Sequence, residues 1–582
     1  MGVVFLFGQN RFSKNRELIL VSIWIVLGLF LRFTQLTSKP PWTDEFATMV
    51  FSLGNDFRSV PINQLISVET LLQPLKINPD ATINDVISLI VQEDNHPPLY
   101  FVLCHWWVKL FPTDGEYVSL FAMRSLPAIF GVLAIPFSYL LGKLAFRSTL
   151  AGQFSAAMMA MSPYGIYLAQ EARHYTLGVI FVIASLCCLV IGIRFLNERR
   201  LIPLWLVLLW IIINSLGWLT HYFFSITLGA ELLTLLVFLL YQIKIQKFYF
   251  NNWLRIFFVI LGTLTTAAVW FLTVVPRDYG KGMINWLIHY VTGFLSFISP
   301  IVQLISGWIV MITLLPIESK SLIIILLSGL IMILFWVWLI PILNHVFKKA
   351  WQQPSLKLGL AVLTGFFAIT NILFLFITYA MRLDITKAAR YNFTYFPSVI
   401  ALMGVALSIL WQQNKIKNNF LQIKTGKQAV IIILLMGFLS SLTVGYNLGY
   451  RKYYLPDQLV KLIQKKSTEP VLIATSYRNL VQTGEMMGIA RELKNASFTK
   501  NVSFYLIPDD SLTKLQKNLQ GLLDKISFPV DVWAINTRDD FRENFNGKLQ
   551  LQGCEENLEN QTYINGYVYQ HFQCPKPLPI KS

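Results

Sequence analysis

The feature that most constrains this chain is a series of apolar stretches, each about 20 residues long and so able to cross a bilayer as a helix. They cover 17–35, 119–142, 150–169, 175–195, 201–220, 224–243, 253–275, 321–345, 357–380, 391–412 and 428–449. Within hydrocarbon every backbone N–H and C=O must be paired inside the segment, which leaves the α-helix as the conformation for such stretches. Two further apolar runs, 98–111 and 301–316, are short. Of the 582 residues 14% are charged, against roughly 25% in soluble proteins. The expected fold class is therefore a polytopic α-helical membrane protein.

The formal net charge of +17 would suggest nucleic acid in a soluble chain. Here Lys and Arg fall largely in short loops between apolar stretches, and no basic-aromatic RNA motif is present, so the charge reads as membrane topology. The N-terminal "MGVVFLFGQNRFSKNRELIL" lacks a small-residue cleavage site before its apolar run, which makes that run a retained first span. Arg11, Lys14 and Arg16 place the N-terminus inside. If 98–111 does not cross, the pairs Lys143 and Arg147, Arg199 and Arg200, and Lys244 and Lys247 all fall inside as well. The same test applied to 301–316 puts Lys348, Lys349, Lys415, Lys417, Lys424 and Lys427 inside. The consistent solution has about eleven spans, with the two short runs half-buried or at the outer surface.

This threading gives 1–450 as a transmembrane domain with a long first outer loop, 36–118, and 451–582 as an outer domain. The tail alternates "EPVLIATS", "NVSFYLIP" and "FPVDVWAIN" as strands with "NLVQTGEMMGIARELK" and "SLTKLQKNLQGLLDKI" as helices. That pattern is a small extracytoplasmic α/β domain. Two further strand-like stretches carry Cys554 and Cys574. In an oxidising compartment these two are disulfide candidates; the alternative is a pair of separate buried thiols. The five cysteines show no metal-ligand spacing.

Polar residues near the span ends gather on the outer side. "SKPPWTDEFATM" places Asp44 and Glu45 just beyond the first span. A carboxylate there, partly desolvated by apolar neighbours, accepts a hydroxyl proton more readily; the competing role is a cap for the helix that "EFATMVFSL" predicts, with Thr43 or Asp44 at its start. "EDNHPPLYF" sets Asp94 and His96 before Pro97 and Pro98, a helix start whose free N–H groups suit an anion. "QEARHY" carries Glu171, Arg173 and His174, charged groups that lining a polar cavity would explain. "THYF" adds His221. "MRLDITKAARY" puts Arg382, Lys387 and Arg390 outside, against the positive-inside trend, and a phosphate headgroup supplies a reason.

The order and spacing of Trp-x-Asp-Glu after span one, "DNHPPLYF" closing the first outer loop, "RSLPAIFGVLAIPFSYLLGKLAF" and then "SPYGIYLAQEARHY" resemble the GT-C membrane glycosyltransferases. The resemblance is to the dolichyl-phosphate-mannose protein mannosyltransferase-like group, glycosyltransferase family 39, with its bacterial membrane mannosyltransferase relatives. It covers roughly residues 15–410. It implies a GT-C fold and a hexosyltransferase that takes a sugar from a polyprenyl-phosphate donor, with inversion, and passes it to a hydroxyl acceptor. It implies Asp44 as general base with Glu45 in support, and His96 with Pro97 and Pro98 on the donor side. Arg173, Arg382 and Arg390 are then the candidate phosphate ligands, with Asp94, Glu171, His174 and His221 supporting them. No cofactor is expected; a divalent metal shared by Glu171, His174 and Asp44 is the less favoured alternative. The partners are the lipid-linked donor, an acceptor that is a lipid, glycan or protein, and the lipids of a plasma (inner) membrane with the site on its outer face; nucleic acid is not among them. The tail is not the MIR domain of the protein mannosyltransferases, which weakens the case for a protein acceptor. A ligase or polymerase using lipid-linked oligosaccharides is the nearest rival. A transporter or flippase would show paired repeats and ionisable groups at mid-membrane, and the acids here lie at span ends.

Overall fold

The computed structural model describes residues 11–113, 115–246, 248–276, 285–415, 425–508, 512–523, 525–537, 539–551, 553–557 and 563–575. Lys247, Lys417 and Lys424, used above for topology, lie outside the described residues. The chain divides into two compact units.

The first unit comprises Met1–Leu36, Ile90–Leu103 and Arg124–Arg451 and is helical. Among the described residues, seven helices are long and apolar enough to cross a membrane: Leu120–Phe146, Tyr175–Asn197, Phe224–Lys244, Phe250–Thr273, Leu322–Trp351, Pro354–Tyr379 and Gly426–Gly445. The other four expected spans are also helical. They are Arg11–Phe33, the shorter Leu204–Thr220 and Phe396–Trp411, and a pair of helices, Thr149–Ala160 and Pro163–Ala169. The short runs form the helices Leu99–Val108 and Phe294–Val310. Large apolar side chains such as Leu322, Leu326, Ile333 and Leu264 are exposed, as a helix bundle solvated by lipid requires.

The break between Thr149–Ala160 and Pro163–Ala169 has a local cause. Pro163 lacks an N–H and occupies the first turn of the new helix, while Ser162 caps it by accepting from the Gly165 amide at 3.2 Å. The carbonyls freed at the end of the preceding helix are met by Arg32, which is fully buried. Its guanidinium donates to Met159 O at 2.9 Å and Ala160 O at 3.1 Å. Gln170 then donates to Arg32 O and Thr34 O at 3.3 and 2.8 Å, which fixes the turn leading into Glu171, Arg173 and His174.

The second unit comprises Thr37–Leu89, Cys104–Met123 and Lys452–Ser582. It is larger than the tail alone, because most of the first loop belongs to it and one short strand of that loop joins the tail's sheet. The strands are β1 (Ile66–Ser67), β2 (Val471–Tyr477), β3 (Val502–Pro508), β4 (Val530–Ile535), β5 (Glu555–Glu556), β6 (Tyr563–Ile564) and β7 (Tyr567–Cys574). They pair in the order β1-β3-β2-β4-β7-β5, with β6 on β7. β3, β2 and β4 are parallel, joined through the helices Leu480–Asn495 and Leu512–Leu523. β1, from the loop, pairs antiparallel with β3, matching Ile66 to Phe504. Asn63 donates its amide to Leu506 O at 2.9 Å beside it. The parallel strands are apolar on both faces, as "VLIAT" and "VDVWAI" dictate. Cys554 and Cys574 are bonded, S–S 2.05 Å, beside Phe572 and Leu549 in the core of this unit.

Candidate functional site

Asp44 and Glu45 lie in the first turn of the helix Thr43–Ser52 in the second unit. The helix begins one residue earlier than a Thr43 cap would have it and two earlier than an Asp44 cap would, with Trp42 in extended conformation at the cap position. Glu45 is fully buried. Its Oε2 accepts from the Trp42 amide at 3.4 Å and from Lys452 Nζ at 3.3 Å. Its carboxylate is thus committed to the helix start and to a buried ion pair. Asp44, one residue earlier, is half-buried.

A second group of candidates converges within the first unit. Asp94 and His96 follow the end of the helix Ile83–Glu93 and precede Leu99–Val108. His96 Nδ1 lies 2.7 Å from Asp94 Oδ1, and the Asn95 amide donates to the same oxygen at 2.6 Å. On its other side, His96 Nε2 lies 3.0 Å from Arg173 Nη2. A guanidinium can only donate, so Nε2 holds the lone pair and the ring proton sits on Nδ1, facing the carboxylate. Burial alone would raise the Asp94 pKa. The field and hydrogen bond of His96, the Arg173 charge and the Asn95 amide outweigh it and hold the carboxyl below its usual value.

His174 precedes the helix Tyr175–Asn197, and His221 follows the helix Leu204–Thr220. The ring centroids lie 5.0 Å apart for His96 and His174, 5.6 Å for His96 and His221, and 4.5 Å for His174 and His221. His174 and His221 are buried. Desolvation lowers both pKa values well below that of free histidine, with the charge of Arg173 and Arg390 and the neighbouring rings adding to it. The Phe223 amide donates to His221 Nδ1 at 2.9 Å, so the proton of that neutral ring is on Nε2. Neither nitrogen of His174, nor Nε2 of His221, has a hydrogen-bond partner among the described residues. A buried polar group left in this way costs about 1–3 kcal/mol.

Arg390 completes the group. The Tyr164 hydroxyl donates to the carbonyls of Ala389 and Arg390 at 3.0 and 3.1 Å, and the guanidinium packs 5.7 Å over the Trp286 ring. Glu171 is buried in the same turn as Arg173, whose amide donates to its carbonyl at 2.7 Å. The structure does not bring Arg382 to this group. Its backbone is left-handed, φ 58°, so its carbonyl takes the His289 amide at 2.8 Å and its side chain is exposed.

The nitrogens of His96, His174 and His221 lie within 4.8 Å of one another, a spacing from which a metal could be held. A tetrahedral ion bound at about 2.0–2.1 Å needs a lone pair from each ring. His221 offers a proton at Nε2, and its Nδ1 is taken by Phe223; His96 Nε2 is taken by Arg173. Only His174 presents a lone pair without breaking a bond.

The sequence reading missed Lys452. The signal was present: like Arg390, it is a basic residue just beyond a span end, on the side expected to be outside.

The chain has the GT-C fold. The chain is similar to the crystal structure of ArnT from Cupriavidus metallidurans bound to undecaprenyl phosphate, with a TM-score of 0.50 and 12% identity over 95% of this chain and 97% of that one. A weaker likeness, TM-score 0.44 and 10% identity, covers 98% of this chain and 76% of the oligosaccharyltransferase AglB from Archaeoglobus fulgidus in complex with an inhibitory peptide and a dolichol-phosphate. No protein-family model and no curated protein sequence matches the chain.

Proposed function

We propose that this chain is a glycosyltransferase that passes a sugar from a polyprenyl-phosphate carrier to a hydroxyl acceptor at the outer face of the plasma (inner) membrane. The observation that carries the reading is the group formed by buried Arg173, His174 and His221 with half-buried Arg390 beside them. It offers the unpartnered N–H of His221 and at least one of His174, beside two permanent positive charges. Donors of that kind suit a phosphate better than a metal cation. The fold likeness to a protein bound to undecaprenyl phosphate supports the same ligand class.

In the proposed reaction the acceptor oxygen attacks the anomeric carbon while the bond from that carbon to the phosphate oxygen breaks, inverting the centre. The phosphate stays on its lipid and gains charge, which Arg173, Arg390 and the histidine N–H groups stabilise as it develops. The acceptor proton goes to Asp44. Asp94 holds His96, and through it Arg173, in place. No metal ion has a step in this scheme.

The test is transfer by purified protein in detergent, offered polyprenyl-phosphate and polyprenyl-pyrophosphate sugars in separate arms. Product from the monophosphate arm, with an inverted anomeric configuration, is expected. Transfer from the pyrophosphate arm alone would replace this reading with the oligosaccharide ligase or polymerase. Transfer from neither would withdraw it.

A further inference from the structure

The part of the chain beyond Arg451 makes contacts that bear on the acid near the start of the first loop. The helix Thr43–Ser52 carries Asp44 at its second position, and its first turn is held from two directions by residues of the same compact unit. From one side Lys452 reaches Glu45 at 3.3 Å, with its Nζ 5.9 Å from the Trp42 ring centroid. Both members of the pair are buried, Lys452 at 6% and Glu45 at 0% side-chain exposure. The lysine thereby grips the residues on either side of Thr43 and Asp44. From the other side comes the helix Leu480–Asn495. A Cβ placed on Gly484 would stand 2.8 Å from Thr43 Cγ2, and one on Gly488, a turn later, 3.7 Å from the Phe46 ring. The two helices approach so closely at Thr43 that a side chain at position 484 would force the Thr43 methyl to shift.

We infer that Lys452 and Gly484 are positioning residues for Asp44, so that the C-terminal α/β part of the chain sets where this carboxylate stands. The inference rests on the reading of Asp44 as the base. The geometry has a specific consequence. A misplacement of a reacting group by about 1 Å can cost on the order of 10² in rate. Contacts one residue to either side of Asp44 are where such a shift would originate.

The test is a cycle between Gly484 and Thr43. Alanine favours a helix over glycine, so Gly484→Ala strengthens its own helix while pushing on Thr43. Thr43→Ser removes Cγ2 and makes room for the new methyl. Gly484→Ala should lower kcat by about tenfold or more with the donor KM unchanged. The double variant Thr43→Ser/Gly484→Ala should recover most of the loss. Lys452→Met should lower kcat in the same way, and in both single variants hydrogen exchange should quicken at the amides of 43–46. Three results would each overturn the inference: an unchanged kcat in Gly484→Ala, a loss no greater than the fall in folded protein, or no recovery in the double variant. Asp44→Asn is assayed alongside. If it stays active, the base assignment has failed, whatever the cycle shows. If it is inactive while Gly484→Ala and Lys452→Met are normal in rate and exchange, only the positioning inference has failed.

Discussion

His96 donates from Nδ1 to Asp94 Oδ1 across 2.7 Å. With Arg173 3.0 Å from its other nitrogen, the imidazole is a bridge between a buried carboxylate and a guanidinium. Asp94→Asn keeps the shape and one acceptor but removes the charge that orients both groups. A hydrogen bond to a charged group contributes about 1.5–3 kcal/mol, and 1.4 kcal/mol is tenfold in affinity. The donor Kd should therefore rise about tenfold or more. Titration with polyprenyl phosphate measures it, and an unchanged Kd would remove Asp94 and His96 from the donor site.

Asp44→Asn separates a base from a helix-start residue. Asparagine preserves size and suits the beginning of a helix, but cannot accept the acceptor proton. Turnover should fall by about 10² or more while the melting temperature and donor binding persist. Glu45→Gln, by contrast, breaks the buried pair with Lys452 and should lower stability as well as rate. Full activity in Asp44→Asn would remove it as the base.

The two buried histidines give the protein a pH dependence of known sign. Their folded pKa values lie below the unfolded one, so below about pH 6.5 the unfolded chain takes up protons that the folded chain refuses. Stability should be insensitive to these residues above that pH and fall as the pH drops beneath it, by up to about 1.4 kcal/mol per pH unit for each histidine. The depressed Asp94 adds a separate loss only at more acidic pH, as pH falls through its lowered folded value. Thermal unfolding at about pH 8 and about pH 5.5 should differ more for the native chain than for His174→Gln/His221→Gln. Equal slopes would contradict the buried neutral state.

Arg390 and Arg382 stand eight residues apart and should behave differently. Arg390→Ala should raise the donor KM about tenfold with the acceptor KM unchanged, as loss of a charged contact to phosphate predicts. Arg382, exposed and away from the group, should tolerate alanine. A reversed pattern in the two kinetic profiles would move the phosphate contact from Arg390 to Arg382.

The bond between Cys554 and Cys574 closes a loop with a sequence separation of 20. Reduction, or Cys554→Ser/Cys574→Ser, should destabilise the sheet-bearing unit by about 3 kcal/mol. Non-reducing peptide mapping checks the pairing directly, and two free thiols in freshly isolated protein would contradict it.

By itself the sequence determined the elements. Apolar stretches of span length have one way to satisfy their backbone in lipid, and all eleven are helical here. Short, nearly continuous apolar runs in the tail likewise became β2, β3 and β4 with helices between them. Asp94, His96, Arg173, His174, His221 and Arg390 were legible as polar groups at span ends, because charge is costly in hydrocarbon and its presence asks for a reason. Only the tertiary structure decided which of them meet. Arg382 and Arg390 carry the same signal in sequence. A left-handed turn at Arg382 sends one side chain outward, while the Tyr164 hydroxyl fixes the backbone that carries the other. Asp44 and Glu45 likewise look alike as neighbours. Burial of Glu45 against Lys452, 407 residues further along the chain, commits that carboxylate to the helix start. No local pattern encodes a contact of that separation, since it depends on how the loop and the tail fold into one unit.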